Sequence, residues 1–360
     1  MAKDVKKEIL KKLKAETGGK RNIKFPTESI KFEETNSATL QMTFTARKYI
    51  EGEKKGKKYV NYNMQGSGVC FEAWAVIIKT YCPQYEKIIL AVENVNGLYD
   101  KWLATRNGKK ARNGHVGRFF YRALRFSEQY DWFELDSELQ KEVYLFKNEW
   151  LMNRTLCNNI PQGKPGNSKG KVDENYFEKQ LAESGTLYKL IIGADDLAFD
   201  ENDEMYRQLP VGLFEDKVAS VNTVFTGGKS AIDMWTYHGD TIYPIELKYD
   251  NEMVGIITEI FFYANFLWDL VRTGGFRISP VTKDKERKEA KERGYDYIKE
   301  GCYRKVSAIL LSDSKSYHPL VTDKVMATLN AVTKGAGNVP ISYTKCSYEV
   351  DEHYKAKVQR

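Results

Sequence analysis

The segment Ala231–Tyr249 constrains the fold more than any other, because it predicts two β-strands joined by a two-residue turn. Residues of high β-propensity flank the pair Gly239-Asp240, and such a pair is typical of a tight hairpin turn. With this pair at the centre of the turn, counting outwards along both strands brings Asp233 opposite Glu246. Directly opposed residues of an antiparallel pair have Cβ atoms about 5 Å apart. The segment therefore predicts two carboxylates side by side on one face of the hairpin.

The predicted hairpin has one charged face and one apolar face. Lys248 follows Glu246 by two residues, so it lies on the same face as the carboxylates. Taken alone, this charged face also fits an exposed strand surface with an ordinary cross-strand pair. The residues of the opposite face, which we expect to contact a core, are Ile232, Met234, Tyr243, Ile245 and Leu247.

The charged face suits phosphodiester hydrolysis assisted by a metal ion. Two carboxylates at this separation repel each other unless a cation lies between them. Carboxylate oxygens suit Mg²⁺ or Mn²⁺, and such a cation activates water and stabilises charge on a phosphate. A neighbouring lysine can orient or deprotonate that water, or hold the phosphate. Asp233, Glu246 and Lys248 are therefore the candidate catalytic residues.

An Asp, a spacer of a dozen residues and a Glu-x-Lys after an apolar strand resemble the signature of the PD-(D/E)XK nuclease superfamily, the restriction-endonuclease-like proteins. The matching residues are Ile232-Asp233 and Ile245-Glu246-Leu247-Lys248, and the proline that names the motif is absent before Asp233. The wider blocks Gln208–Phe214 and Phe225–Asp233 are similar to an uncharacterised bacterial branch of that superfamily. The resemblance covers roughly residues 173 to 350.

The resemblance implies a restriction-endonuclease-like core, in which helices flank a mixed sheet in the order α-β-β-β-α-β, and a Mg²⁺-dependent deoxyribonuclease activity. It implies that Asp233 and Glu246 hold the metal and that the backbone carbonyl of Leu247 is a further ligand. It also implies an acidic ligand on a helix before the first strand. Glu178 is our candidate for that ligand, with an ordinary surface glutamate as the alternative.

Met253–Val271 is the most apolar stretch of the chain. Glu259, Asn265 and Asp269 interrupt it, so it predicts a buried core helix and no membrane span. Glu259 and Tyr263 share one helix face, and they resemble the Gln-x-x-x-Tyr signature of the exonuclease branch, with Glu in place of Gln. This difference favours a supporting role, such as pairing with the lysine. A polar position on a core helix is the alternative.

Basic residues outside the hairpin are candidates for contacts with nucleic-acid phosphates. Three arginines recur on one face of a helix predicted after a basic, glycine-containing loop, and a tight turn before the hairpin offers one lysine. A solvated face with local ion pairs, for example to Glu128, is the alternative for the arginines. The candidate phosphate contacts are Arg118, Arg122, Arg125, Lys109, Lys110 and Lys229.

The chain of 360 residues suggests about two domains, and with 42% hydrophobic residues it can bury a sizeable core. Residues 158–171 are rich in glycine and proline and predict a linker or exposed loop. They separate a mixed α/β region, residues 1–157, from a nuclease-like domain, residues 172–360, so the predicted fold class is α/β. We expect the first region to bind substrate or a partner. The apolar run near residues 187–192 is predicted to be a strand.

The cysteines and the distribution of charge bear on metal sites, cellular location and nucleic-acid binding. The five cysteines are scattered without a C-x-x-C pair, which indicates neither a disulfide framework nor a zinc site. With no recognisable signal peptide, the cytoplasm is the expected location. The net charge is +7, and residues 1–24 carry +6 of it, nine basic minus three acidic residues. This basic end fits either nucleic-acid binding or a solubilising role.

Three interpretations follow from these patterns. The leading one is a nuclease acting on DNA. The near neutrality beyond residue 24 motivates a rival, a non-catalytic module that keeps this fold to bind nucleic acid or protein. Cleavage of RNA stays open as a third, because no motif distinguishes a base or a 2′-hydroxyl.

Overall fold

The computed structural model describes residues 4–19, 23–26, 28–48, 58–64, 68–106, 114–163, 165–166, 171–193, 205–225, 230–332 and 340–359. The chain divides into two compact units, and both contain helices and sheets. The α/β class predicted from the sequence is therefore confirmed, with mixed sheets flanked by helices. The first unit comprises Met1–Arg154, Met253–Thr258 and His318–Asn338, and the second comprises Thr155–Glu252, Glu259–Tyr317 and Val339–Arg360.

The first unit is built around a four-stranded sheet. Its elements in chain order are α1 (Val5–Glu16), β1 (Ile30–Asn36), β2 (Thr39–Phe44), β3 (Arg47–Lys48), β4 (Lys58–Tyr59), α2 (Phe71–Tyr81), β5 (Lys87–Val92), α3 (Leu98–Arg106), α4 (Gly114–Gln129), β6 (Phe133–Leu135) and α5 (Ser137–Phe146). The strand order is β1-β2-β5-β6, in which β1 and β2 are antiparallel and the other two pairs are parallel.

The second unit contains the hairpin in a larger sheet. Its elements are β7 (Leu156–Asn158), α6 (Glu174–Glu183), α7 (Thr186–Ile192), β8 (Tyr206–Pro210), β9 (Leu213–Glu215), β10 (Thr223–Phe225), β11 (Ala231–His238), β12 (Thr241–Lys248), α8 (Gly255–Val271, of which 255–258 belong to the first unit), α9 (Asp284–Lys291), β13 (Lys305–Asp313), β14 (Ile341–Val350) and β15 (Ala356–Gln359). The helix α10 (Asp323–Asn330) belongs to the first unit. Among the described residues, no helix has the combination of length and apolar composition that a membrane span requires.

Six strands of the second unit form a mixed sheet in the order β15-β14-β13-β12-β11-β8. The pairs β12-β13 and β13-β14 are parallel, and the other neighbours are antiparallel. The hairpin strands β11 and β12 therefore lie inside the sheet, where both of their edges are hydrogen-bonded. A separate three-stranded sheet has the order β10-β9-β7.

The predicted hairpin register is confirmed. His238 pairs with Thr241 and Met234 pairs with Ile245, so Gly239 and Asp240 form the turn. Gly239 has a φ of +56° at the first central position, a conformation that favours glycine and matches the twist of a two-residue hairpin. One position beyond the pair at Met234, this register brings Asp233 opposite Glu246.

The predicted apolar face of the hairpin contacts a core. Met234, Ile245 and Leu247 form a buried cluster with Phe177 and Leu181, which lie four residues apart on α6. Burying a side chain of this size contributes about 1.5–3 kcal/mol. Because side chains alternate along a strand, the intervening residues of β11 and β12 lie on the opposite face, where Lys248 contacts Glu259 of α8.

One expectation about local structure is wrong, and the first residue of the predicted linker is buried. Residues 187–192 form the helix α7 between Gly185 and Gly193, which both have a left-handed φ, so the apolar run follows a helical period. Asn158, the first residue of the predicted linker, is fully buried. Its Oδ1 accepts hydrogen bonds from the Ser279 amide at 2.9 Å and from the Tyr295 hydroxyl at 3.1 Å. The asparagine thereby satisfies donors that burial would otherwise leave unpaired.

The two units also differ from the contiguous division expected from the sequence. Segments 253–258 and 318–338 belong to the first unit, although they follow the predicted boundary by many residues.

Candidate active site

The two carboxylates of the hairpin are held in different environments. Asp233 is partly exposed, and its Oδ2 accepts a hydrogen bond from the backbone amide of Leu247 at 2.8 Å. Glu246 is only 2% exposed, and its Oε1 accepts from Lys248 Nζ at 2.5 Å. Its other oxygen, Oε2, is buried with no hydrogen-bond partner among the described residues. The pair thus combines one accessible carboxylate with one buried carboxylate that has unused acceptor capacity.

Lys248 lies between two acidic side chains. Its Nζ contacts Glu246, and it also lies 3.2 Å from Oε2 of Glu259 on α8. Burial alone would lower the pKa of Lys248, but the charges of these two glutamates outweigh burial and raise that pKa well above its ordinary value. The ammonium is therefore charged at neutral pH.

The pKa values of the two carboxyl groups are also raised, which favours their neutral form. Burial raises the pKa of Glu246 well above its ordinary value, and the nearby charge of Asp233 adds to the increase. The pKa of Asp233 is also raised by burial, although Lys248 and the hydrogen bond from Leu247 oppose the change. Two carboxyls with raised pKa values in one place indicate a site that favours an additional positive charge, either a proton or a cation.

Tyr263 lies one turn beyond Glu259 on α8 and is buried. Burial raises the pKa of its phenol well above the ordinary value, and the charges of Glu246 and Glu259 raise it further. The phenol is therefore neutral and lies near the carboxylates, so both members of the predicted helix pair are part of the same cluster.

Glu178 on α6 is buried and contacts two side chains of β8. Its Oε2 lies 3.2 Å from Arg207 Nη2 and accepts a hydrogen bond from Gln208 Nε2 at 2.9 Å. Burial and the charge of Asp233 raise the pKa of Glu178 to about 7. The charge of Asp233 therefore affects Glu178, although the contacts of Glu178 are to residues of β8. Because Glu178 is buried, it is not the ordinary surface glutamate that was the alternative.

Glu174 is a site residue that sequence reasoning missed. It is partly exposed and lies one turn before Glu178 on α6. Burial raises its pKa, Lys248 lowers it, and Asp233 raises it, so its carboxyl lies near both. The backbone amide of Tyr249 also lowers the pKa of Glu174. The spacing of Glu174 and Glu178 by four residues was a signal for this position, since both lie on one helix face.

The oxygen ligands for a metal are fewer than the resemblance implies. Within the described ranges, no three His, Cys, Asp or Glu side chains are grouped so that they could hold one ion. Asp233 and Glu246 remain as a pair, and Mg²⁺ is commonly bound by one or two carboxylates with water and phosphate oxygens. Leu247, expected to offer its carbonyl, contributes its backbone amide to Asp233. The hard oxygen donors and the unused Glu246 Oε2 fit a divalent cation.

The arginines proposed as a phosphate-contacting ridge do not form an exposed surface. Arg118 and Arg122 are 2% and 0% exposed. Arg122 donates two hydrogen bonds to the buried carboxylate of Glu72, at 2.7 and 2.6 Å. Arg125 donates to Glu128 at 2.9 Å, the local ion pair weighed as the alternative. The expected phosphate-contacting ridge is wrong for Arg118 and Arg122, because both side chains are buried; Arg122 is paired with Glu72, and Arg118 donates a hydrogen bond to Asn63 at 2.9 Å. The remaining candidates, Lys109, Lys110 and Lys229, lie outside the described residues.

Comparison of the chain with protein-family models, with curated proteins and with solved structures found no match. The resemblance to the PD-(D/E)XK superfamily therefore stays a prediction that rests on the motif. The fold and the site together define an α/β protein with a carboxylate–lysine cluster on a hairpin inside a mixed sheet.

Proposed function

We propose that the protein is a metal-dependent nuclease with a restriction-endonuclease-like core, and that DNA is its main substrate. The observation that carries the proposal is the opposition of Asp233 and Glu246 with an acceptor oxygen left unused. A buried carboxylate oxygen without a donor loses the stabilisation that water gave it, and a divalent cation restores it. The partly exposed Asp233 gives solvent and substrate access to the same pair.

Asp233 and Glu246 are the residues that would hold Mg²⁺ or Mn²⁺. When bound, the cation supplies Lewis-acid stabilisation of phosphate charge and lowers the pKa of water. The hydrogen bond from Leu247 keeps the Asp233 carboxylate oriented before any ligand arrives. Preorganisation of this kind reduces the reorganisation needed in the transition state.

Lys248 acts as a charged donor in this proposal. Because its pKa is raised, the ammonium does not release its proton near neutral pH, which argues against the role of a general base. An ammonium has three N–H donors, and Glu246 and Glu259 account for two of them among the described contacts. The third can orient the attacking water. Glu259 supports this role by fixing the position of Nζ from α8.

The rival function is a non-catalytic module that binds nucleic acid or protein. Two observations favour it: the described residues contain no group of three metal-binding side chains, and two of the candidate phosphate-contacting arginines are buried. A binding module of this kind would retain the hairpin geometry and lack turnover. The two functions therefore differ in cleavage, not in fold.

A cleavage assay separates these proposals. Wild-type protein and Asp233→Asn are incubated with single-stranded DNA, double-stranded DNA and RNA, each with Mg²⁺, Mn²⁺ or EDTA. We expect the wild type to cut DNA with either metal and not with EDTA, and Asp233→Asn to be inactive. Retained DNA binding without cleavage under every condition would establish the binding module, and cleavage confined to RNA would change the substrate class.

The proposal places the protein in the reducing cytoplasm. All five cysteines carry free thiols, which supports that location.

A further inference from the structure

Ser312 lies beside the catalytic lysine of the proposed nuclease. In the parallel pairing of β12 with β13, Lys248 is the register partner of Ser312, and Glu246 is the partner of Leu310. Ile309 and Leu311 belong to the core on the α6 side of the sheet. Because side chains alternate along a strand, Ser312 lies on the opposite face, the one that carries Glu246 and Lys248.

The hydroxyl of Ser312 is buried without a hydrogen bond. The residue is 1% exposed, and its Oγ has no partner in the part of the chain that the structure describes. Most buried side-chain polar groups in proteins are paired, so one that is not requires an explanation. Glu246 Oε2 is a second buried oxygen without a partner on the same face. Two buried oxygens without a partner among the described residues therefore lie on the face that carries Lys248.

The position of Ser312 also matches where ligands bind in sheets of this kind. The strands β12 and β13 run parallel and end at Lys248 and Asp313, so Ser312 lies at their carboxyl edge. Ligands of open α/β sheets bind at the carboxyl ends of parallel strands. A hydroxyl there can donate to an anionic oxygen without adding a charge to an already charged cluster.

We propose that Ser312 is a substrate-binding residue, whose hydroxyl donates a hydrogen bond to a phosphate oxygen of the phosphodiester beside Lys248. The proposal rests on the proposed nuclease function. The described residues provide no acceptor for the Ser312 hydroxyl. A phosphate oxygen of the bound substrate would provide one.

The test compares Ser312→Ala with Ser307→Ala, a control on the same strand whose side chain faces the other way and contacts Ser342. Binding of a short labelled DNA duplex in EDTA and single-turnover cleavage with Mg²⁺ are measured for both variants and the wild type. We expect Ser312→Ala to bind DNA about tenfold more weakly, the loss of one hydrogen bond to a charged group, and Ser307→Ala to match the wild type. Inorganic phosphate is the second probe, which shows whether a free phosphate suffices.

Thermal unfolding of the protein without ligand gives a readout that does not depend on activity. Removing a hydroxyl without a partner should leave the unfolding midpoint unchanged or raise it. If the hydroxyl instead holds a structural water, Ser312→Ala will unfold at a lower temperature and bind DNA like the wild type, which overturns the proposal. Ser312→Cys, of nearly the same size and with a weak donor, should behave like Ser312→Ala in binding.

The outcomes also separate this proposal from the nuclease function. A wild type that cleaves DNA, together with a Ser312→Ala variant of unchanged affinity and rate, removes only the role of Ser312. A wild type that neither binds nor cleaves DNA removes both.

Discussion

The carboxylate of Asp233 is tied across the hairpin to the backbone amide of Leu247, with 2.8 Å between Oδ2 and N. Leu247 buries its side chain in the core on the other face of the sheet. The same residue therefore anchors the hairpin to the core and orients the accessible carboxylate. The fold therefore sets the position of the Asp233 carboxylate before any ligand binds.

Divalent-cation binding should depend on Asp233. We expect Mn²⁺ to release or absorb heat on mixing with the wild type, and not with Asp233→Asn, which preserves the size of the side chain and an acceptor for Leu247. Binding should be weak without substrate, because a cation held by two carboxylates keeps several waters. Isothermal titration calorimetry measures this directly. Equal heats for the two proteins would remove the proposed metal site.

Lys248→Met should abolish cleavage and preserve the fold. Methionine keeps an unbranched apolar stem of similar length but loses the ammonium that orients the attacking water. Because that interaction strengthens in the transition state, we expect the single-turnover rate to fall about 100-fold or more. DNA affinity should change by less than about tenfold, since Glu246 and Glu259 already neutralise the ammonium. A fully active variant would falsify the mechanism.

The stability of the metal-free protein should fall as pH rises, in part because of Glu178. Its pKa is raised from 4.5 to about 7, so the folded protein holds this proton more tightly than the unfolded chain. The contribution to stability is complete below about pH 4.5 and is lost as pH rises through about 7. A shift of this size corresponds to about 3 kcal/mol. Urea unfolding at pH 5 and pH 8 measures the decrease.

The variant Glu178→Gln isolates this effect from other titrating groups. Glutamine still accepts hydrogen bonds from Arg207 and Gln208 but does not titrate. The difference in unfolding free energy between pH 5 and pH 8 should therefore be smaller in the variant than in the wild type. The same pH dependence in both proteins would mean that the pKa of Glu178 is not raised by the fold.

Arg122 and Arg125 should differ sharply in their effects on stability. Arg122→Ala leaves the carboxylate of Glu72 buried without a charged partner, which costs about 3–5 kcal/mol. Arg125→Ala removes a partly exposed pair with Glu128 and should cost less than about 1 kcal/mol. Chemical denaturation of the two variants tests this contrast. A marked loss of DNA affinity in a stable, folded Arg122 variant would restore the phosphate-contacting role.

The hairpin could be predicted from the sequence because its information is local. A Gly-Asp turn and the alternation of apolar and polar residues define the register within nineteen consecutive residues, Ala231–Tyr249. The apolar run at 187–192 was wrongly predicted to be a strand, because a short apolar run fits the periodicity of a buried strand and of a buried helix equally well. In the structure it forms a helix that Gly185 and Gly193 bound. The start of the expected linker was misjudged because Asn158 finds its partners at Ser279 and Tyr295, more than a hundred residues away.

The sequence by itself determined the class of fold, the register of the hairpin and the facing pair of Asp233 and Glu246, since each follows from residues that are neighbours along the chain. Only the tertiary structure decided which charges are buried. The Arg122 side chain is paired with Glu72, a contact that no helical or strand period encodes. Burial and pairing depend on which distant surfaces pack together, and that packing sets both the pKa of each group and its access to a ligand.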